Sequence, residues 1–229
     1  MVEALLFEVF YFIKMKKELE HCNLNIKKWD LVVEKFDKGL QSKYFHFEQK
    51  RTVDSLPLKN GMCFLDIGCG TGWAVSYASS LLKGAGKFYG IDISPKMIEK
   101  AKENCRNFKN VYFYQANAEK LPFQDNFFDC IICTHSFHHY YNPSKALDEI
   151  CRVLKFKGRI YIMDFSSDNF IMEWFDASAR KRGDEHVRYY GTKEYIGLFK
   201  KSNIKYVNSG MLVFPFFPLK IHIGEKNKI

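Results

Sequence analysis

The stretch FLDIGCGTGW, Phe64 to Trp73, decides the fold. It runs out of MCFLDI, residues 62–67, an apolar segment that reads as a buried strand. Three glycines then alternate, Gly68, Gly70 and Gly72, and TGWAVSYASSLLKG, residues 71–84, reads as a helix. Glycine reaches backbone conformations that other residues avoid, so backbone N–H groups can come close to a ligand. The helix that follows presents its positive N-terminus to the same place.

Working outward, the strand–helix rhythm continues. KFYGIDI (87–93), VYFYQA (111–116), FFDCIIC (127–133) and RIYIMDF (159–165) read as strands. SPKMIEKAKENCRN (94–107) is a helix with Ser94 as its N-cap and Pro95 at the first helical position. NPSKALDEICRVLK (142–155) places Ala146, Leu147, Ile150, Val153 and Leu154 at helical spacing, with Gly158 expected to end it. This alternation with short links predicts an α/β, three-layer sandwich around a mostly parallel sheet. NFIMEWFDASARKRG breaks the rhythm and predicts an inserted helix at about 168–185. A helix over TKEYIGLFKKS and two strands, IKYVNSGMLVF and LKIHI, follow, the strands forming an antiparallel pair joined through PFFP. Residues 1–58 are expected to be a helical cap on the 59–229 domain. Within it IKKWDLVVEKFDKGL puts Trp29, Val32, Val33 and Phe36 on one face, Gly39 is placed to end that helix, and FHFEQKRTVDSL adds another up to Pro57.

The bulk numbers exclude several classes. No stretch reaches the length of a membrane span, and MVEALLFEVFYFIK is interrupted by Glu3 and Glu8. It lacks a basic start and a cleavage site, so it reads as an amphipathic helix rather than a signal peptide; Met15 is an alternative first residue. The seven cysteines are odd in number and several lie in apolar runs, which fits reduced thiols in a cytoplasm. Cys130 and Cys133 have metal spacing, but residues three apart on a strand face opposite ways, so no metal is expected. The formal net charge of +9 is spread over short lysine and arginine pairs and reads as a solvated surface.

A glycine turn of this kind serves three carriers. The dinucleotide fingerprint is GxGxxG, whereas the spacing here is GxGxG. The phosphate loop needs a lysine and Ser/Thr after the last glycine, and Trp73-Ala74-Val75 supplies neither. The third carrier is S-adenosylmethionine. LDIGCGTG resembles the first motif of the class I, seven-stranded S-adenosylmethionine-dependent methyltransferases. GIDIS resembles the acidic end of that family's second strand, and NAEKLPFQDNFFDCIIC its adenine-binding turn and fourth strand. ALDEICRVLKFKGRIYIMDF resembles the helix and fifth strand. The resemblance covers residues 28–223, in the small-molecule branch that includes the quinone-biosynthesis enzymes.

It implies a seven-stranded sheet with the last strand antiparallel, S-adenosylmethionine as cofactor and S-adenosylhomocysteine as product. Asp66 would receive the ammonium group, and Gly68, Cys69, Gly70 and Gly72 would pass beside the methionine portion. Cys69 reads as a small residue packed there rather than a nucleophile. Asp92, twenty residues after Gly72, would accept both ribose hydroxyls, with Ile93 and Met97 against the adenine face. Asn117 stands where the family often has aspartate; its carbonyl can accept from the adenine amine, and Ala118 can offer its N–H. Thr134 completes the cofactor set.

Methyl transfer is an in-line displacement that needs positioning, and a base only where the nucleophile must lose a proton. THSFHHYYNP, residues 134–143, follows the fourth strand and brings His135, Phe137 and His138 to the acceptor. His139 stands where related enzymes often carry a histidine, as packing in many and as a base in some. Trp174, Phe175, His186, Tyr189 and Tyr190 could close the acceptor pocket, as could Trp29, Tyr44, Phe45 and Phe47. The expected reaction is methylation of a small molecule at O, N or C by a monomer or homodimer. RNA or nucleotide-linked acceptors are the alternative, not favoured because THSF replaces the Asn/Asp-Pro-Pro-aromatic motif of base-amine methylation. A non-catalytic S-adenosylmethionine-binding protein is the other.

Overall fold

The computed structural model describes residues 2–181, 186–213 and 218–228. Two helices lead, α1 (Val2–Phe36) and α2 (Gly39–Asp54). Then follow β1 (Met62–Ile67), α3 (Trp73–Leu81), β2 (Gly86–Asp92), α4 (Pro95–Asn104), β3 (Val111–Gln115) and β4 (Phe128–Thr134). A single 3-10 turn, Phe137–His139, precedes α5 (Pro143–Val153) and β5 (Leu154–Phe165). The chain continues with α6 (Phe170–Lys181), α7 (Thr192–Lys201), β6 (Ile204–Val213) and β7 (Leu219–Lys226).

One seven-stranded sheet has the order β3-β2-β1-β4-β5-β7-β6. β3, β2, β1, β4 and β5 run parallel, and β7 lies antiparallel between β5 and β6. β1 and β4 are buried on both faces, which is why they read as continuous apolar runs, whereas β3, at the sheet edge, buries only Phe113. Alternate residues feed two cores. Leu65, Ile91, Ile131 and Cys133 join the core under α5 and α7, while Phe64, Phe88, Cys130 and Ile132 join the one under α3 and α4. Cys130 and Cys133 thus face opposite ways. In the register Asp66 lies beside Gly90 of β2 and Ile132 of β4, which brings the carboxyl ends of three strands to one rim.

Local chemistry explains the boundaries. The Ser94 hydroxyl accepts from the Met97 N–H at 3.0 Å, and Asn142 caps α5 by accepting from Lys145 N at 3.1 Å. Gly39 sits at the break between α1 and α2 with φ +87°. α2 begins there, ahead of the FHFEQK segment where its start was expected.

Gly158 does not end α5. The helix stops at Val153, and Leu154 already pairs with Phe128 of β4. The register then slips, so that Cys130 meets Arg159. A side chain at Gly158 would come within 2.8 Å of the Lys155 carbonyl and 3.1 Å of the Phe128 carbonyl. The glycine therefore serves a bulge between two closely packed strands. The inserted helix is α6, and its expected tail at 182–185 lies outside the described residues, as do residues 214–217, which include the first three of PFFP. Among the described residues no helix is long and apolar enough to cross a membrane.

Candidate cofactor and acceptor site

The glycine turn leaves β1 with three left-handed residues, Gly68 at φ +77°, Gly70 at +51° and Gly72 at +85°. The N–H groups of Gly68 and Cys69 both donate to the Ile91 carbonyl, at 2.8 and 2.9 Å, which ties the turn to β2. Space is as tight as the dihedrals. A Cβ at Gly72 would lie 2.8 Å from the Phe113 ring.

Asp92 ends β2. Its Oδ2 accepts from Gly70 N at 3.0 Å and its Oδ1 from Ser94 N at 2.9 Å. Burial pushes its carboxyl up to about 6, although those N–H groups oppose the shift. Asp66 is fully buried, and among the described residues neither carboxylate oxygen has a hydrogen-bond partner. Burial, then the charge of Asp92, pushes it up to about 8. Two buried acids at one rim, one wholly unpartnered, call for a ligand with a cation and hydroxyl donors. An amino-acid ammonium and ribose hydroxyls have that chemistry, so the residues present fit S-adenosylmethionine.

One cavity opens over this rim, with about 1010 Å³ free of protein atoms when the space open to solvent is included. Gly68, Cys69, Gly70, Asp92, Ile93, Met97, Asn117, Ala118 and Thr134 line it, as do His135 and His139. Asp66 and Gly72 lie beside it in the chain but do not line it. The Asn117 carbonyl already accepts from Glu119 N at 2.9 Å, which leaves one lone pair for a ligand.

The far wall comes from the cap. Trp29 and Phe36 of α1 and Phe45 of α2 face the cavity, whereas Tyr44 and Phe47 are exposed. Several lining residues were not anticipated. His21, Cys22, Asn25 and Phe36 come from α1 and Gln49 from α2, and Gln49 donates to Thr134 at 3.3 Å. Their signal was the four-residue spacing of His21, Asn25 and Trp29, a stripe along one helix face.

α1 is held down on the glycine turn itself. The Thr71 hydroxyl donates to Asp37 at 2.7 Å, and Asn104 donates to the same carboxylate at 3.2 Å. Burial opposes it, but the bonds from His46, Thr71 and Asn104 hold the Asp37 carboxyl below its ordinary value.

Other expected pocket residues lie elsewhere. Phe137 is fully buried against Tyr140, Tyr190 and Tyr195. His138 turns its Nδ1 to Asp164 at 2.9 Å, away from the cavity lining. Tyr189 packs on His138 and His186, and His186 bonds Asp176 at 2.7 Å. Trp174 is 66% exposed on α6, with Phe175 beside it. α6 presents these rings to solvent.

Comparison with known proteins agrees with this geometry. A family model described as a methyltransferase domain matches residues 58–207. The Ubiquinone/menaquinone biosynthesis C-methyltransferase UbiE of Escherichia coli O1:K1 is 38% identical over 141 residues, covering 59% of this chain and 56% of that protein. The Cronobacter sakazakii protein of the same name is 34% identical over 146 residues, covering 62% and 57%. The chain therefore spans little more than half the length of these curated relatives. Among solved structures, a SAM dependent methyltransferase from Aquifex aeolicus superposes with a TM-score of 0.68 at 24% identity, covering 85% of this chain and 97% of that one. A geranyl diphosphate methyltransferase in complex with SAM gives 0.67 at 15%, covering 79% and 85%. At these identities the two structures establish the shared fold. With the family match extending over most of the sheet, the glycine turn and the acidic rim, the chain belongs to the methyltransferase domain family, of the S-adenosylmethionine-dependent class I fold.

Proposed function

We propose that this protein transfers the methyl group of S-adenosylmethionine to a carbon of a small hydroxylated aromatic acceptor. The observation that carries the reading is the unpartnered, buried Asp66 carboxylate next to Asp92, under a cavity whose other end is aromatic. When bound, S-adenosylmethionine supplies a methyl group already activated on a sulfonium. Asp66 receives the ammonium end, and Asp92 orients the ribose hydroxyls. Ile93 and Met97 pack the adenine, and Asn117 and Ala118 read its edge. Trp29, Phe36 and Phe45 exclude water and give an aromatic acceptor flat apolar walls. Carbon as the methylated atom is supported by the UbiE relatives, which are C-methyltransferases by name.

Calorimetry with S-adenosylmethionine and S-adenosylhomocysteine tests the donor half. A panel of phenols, amines and RNA, supplied with donor carrying a ¹³C-methyl group, tests the acceptor half. The methyl resonance distinguishes C-, O- and N-methyl products. Methylated RNA with no phenolic product would refute the acceptor assignment.

A further inference from the structure

We propose that His135, held by the buried Glu48 carboxylate, takes the acceptor's proton during methyl transfer, a role that rests on the function proposed above. His135 directly follows β4 and lines the cavity. Its Nε2 is 2.6 Å from Oε2 of Glu48, an α2 residue with no solvent exposure. Oε1 of Glu48 has no hydrogen-bond partner among the described residues. A buried carboxylate bonded to a histidine fixes the tautomer, because it accepts the Nε2 proton and leaves Nδ1 as the acceptor. It also stabilises an imidazolium as one forms. Nδ1 has no hydrogen-bond partner among the described residues.

The backbone adds an independent observation. His135 has φ +51°, a left-handed conformation rare for a residue with a side chain, while its N–H donates to the Met163 carbonyl at 2.9 Å. Strain of this kind persists where surrounding structure over-determines it, and it gathers at functional sites. His139 is placed differently. Its ring is packed between Trp29 at 5.4 Å and His138 at 4.0 Å, and its carbonyl is bonded by His21.

The step balances. As the acceptor carbon attacks, a C–C bond to the methyl forms and the S–C bond breaks, its electron pair staying on sulfur. The acceptor's O–H proton passes to Nδ1 of His135, and the O–H bonding pair becomes a ring carbonyl. The methylated carbon then loses its own proton to water, and the imidazolium returns its proton to the oxygen.

Other titratable groups lie around His135 and its carboxylate. Tyr44 lies next to Glu48 on α2, Asp164 stands on β5, and His139 shares the cavity. Burial and the Glu48 carboxylate hold the Tyr44 phenol up at about 12, so it stays neutral through the working range.

The test uses the full chain. H135Q should lower kcat by about 100-fold or more. Its affinity for S-adenosylhomocysteine should stay within about two-fold of wild type, and the acidic limb should disappear from its pH–rate profile. E48Q should keep cofactor affinity and lose about ten-fold in kcat, and added imidazole should restore part of the H135A rate. Nitrogen-15 correlation spectra read the His135 tautomer with no acceptor present. A bare Nδ1, in the free protein and in the S-adenosylhomocysteine complex, supports the assignment. A proton on Nδ1, or H135Q turnover with wild-type rate and pH profile, would overturn it. Wild-type protein that binds neither S-adenosylmethionine nor S-adenosylhomocysteine defeats the cofactor reading instead, and the tautomer is still measured.

Discussion

The Ser94 hydroxyl donates to the Asp30 carboxylate at 2.5 Å, so the residue that caps α4 also fastens α1 across the cavity. Thr71 and Asp37 make a second fastening beside the glycine turn. Hydrogen bonds to charged groups contribute roughly 1.5–3 kcal/mol, and 1.4 kcal/mol is a factor of ten. D30A and D37A should each speed dissociation of S-adenosylhomocysteine about ten-fold, with a smaller effect on association. Stopped-flow fluorescence of Trp29 and Trp73 would follow both rates. Unchanged dissociation in the double variant would show that α1 is no barrier to exit.

Cofactor binding should release protons near neutral pH. In the free protein the Asp66 carboxyl sits at about 8 and is mostly protonated at pH 7. An ammonium group placed against it favours the carboxylate and expels that proton. Calorimetry in buffers of different ionisation enthalpy should show release approaching one proton at pH 7 and little at pH 9. D66N should abolish the release and weaken binding by about 100-fold, the effect of removing a charge-assisted contact.

The same carboxyl sets a pH trend in stability. An acid raised in the folded state binds more protons folded than unfolded, between its ordinary value of about 4 and its native value. Asp66 therefore stabilises the free protein less and less as pH rises towards 8. Asp92 acts in the same direction up to about 6. His222 works oppositely. Burial lowers its imidazole to about 4, so stability is lost as pH falls from 6.5 towards 4. Scanning calorimetry of the free protein should show Tm falling from pH 6.5 to 8, a slope that D66N flattens. A D66N slope equal to wild type would remove Asp66 as its source.

Phe128 tests the core beneath the site. Its ring is fully buried, edge-on to Phe123 at 4.8 Å, Phe127 at 4.9 Å and Tyr89 at 5.4 Å. F128A should cost about 3–5 kcal/mol in urea unfolding. A loss under 1 kcal/mol would mean that the neighbouring rings collapse into the space.

The sheet was legible because its signals are local. Strands buried on both faces announce themselves as apolar runs, and Ser94, Pro95, Asn142 and Pro143 mark helix starts. The acidic rim was legible for a related reason. Asp66 and Asp92 follow one another at strand ends, and parallel neighbours bring such ends together. The rest depended on packing over long sequence separations. His138 shares a segment with His135 and His139, yet Asp164 captures its ring from a neighbouring strand. Nothing near Trp174 in the chain shows that α6 will turn it outward. The stripe His21, Asn25, Trp29 was present, but its partner surface lies more than sixty residues away. Gly158 carried a true signal for a break in regular pairing, and only the register with Phe128 shows that the break belongs to a strand.

Gly68 has a neighbour beyond its own turn. A methyl group added there would lie 2.1 Å from the Ser136 hydroxyl, in the segment that follows β4. The two loops are thus shaped against each other, and a change in one is a change in the mould for the other. Redesign of residues 134–141 for a new acceptor will therefore alter the fit of the methyl donor as well. A variant library over that segment should be screened for donor affinity alongside product, because the two properties share a surface and cannot be tuned independently.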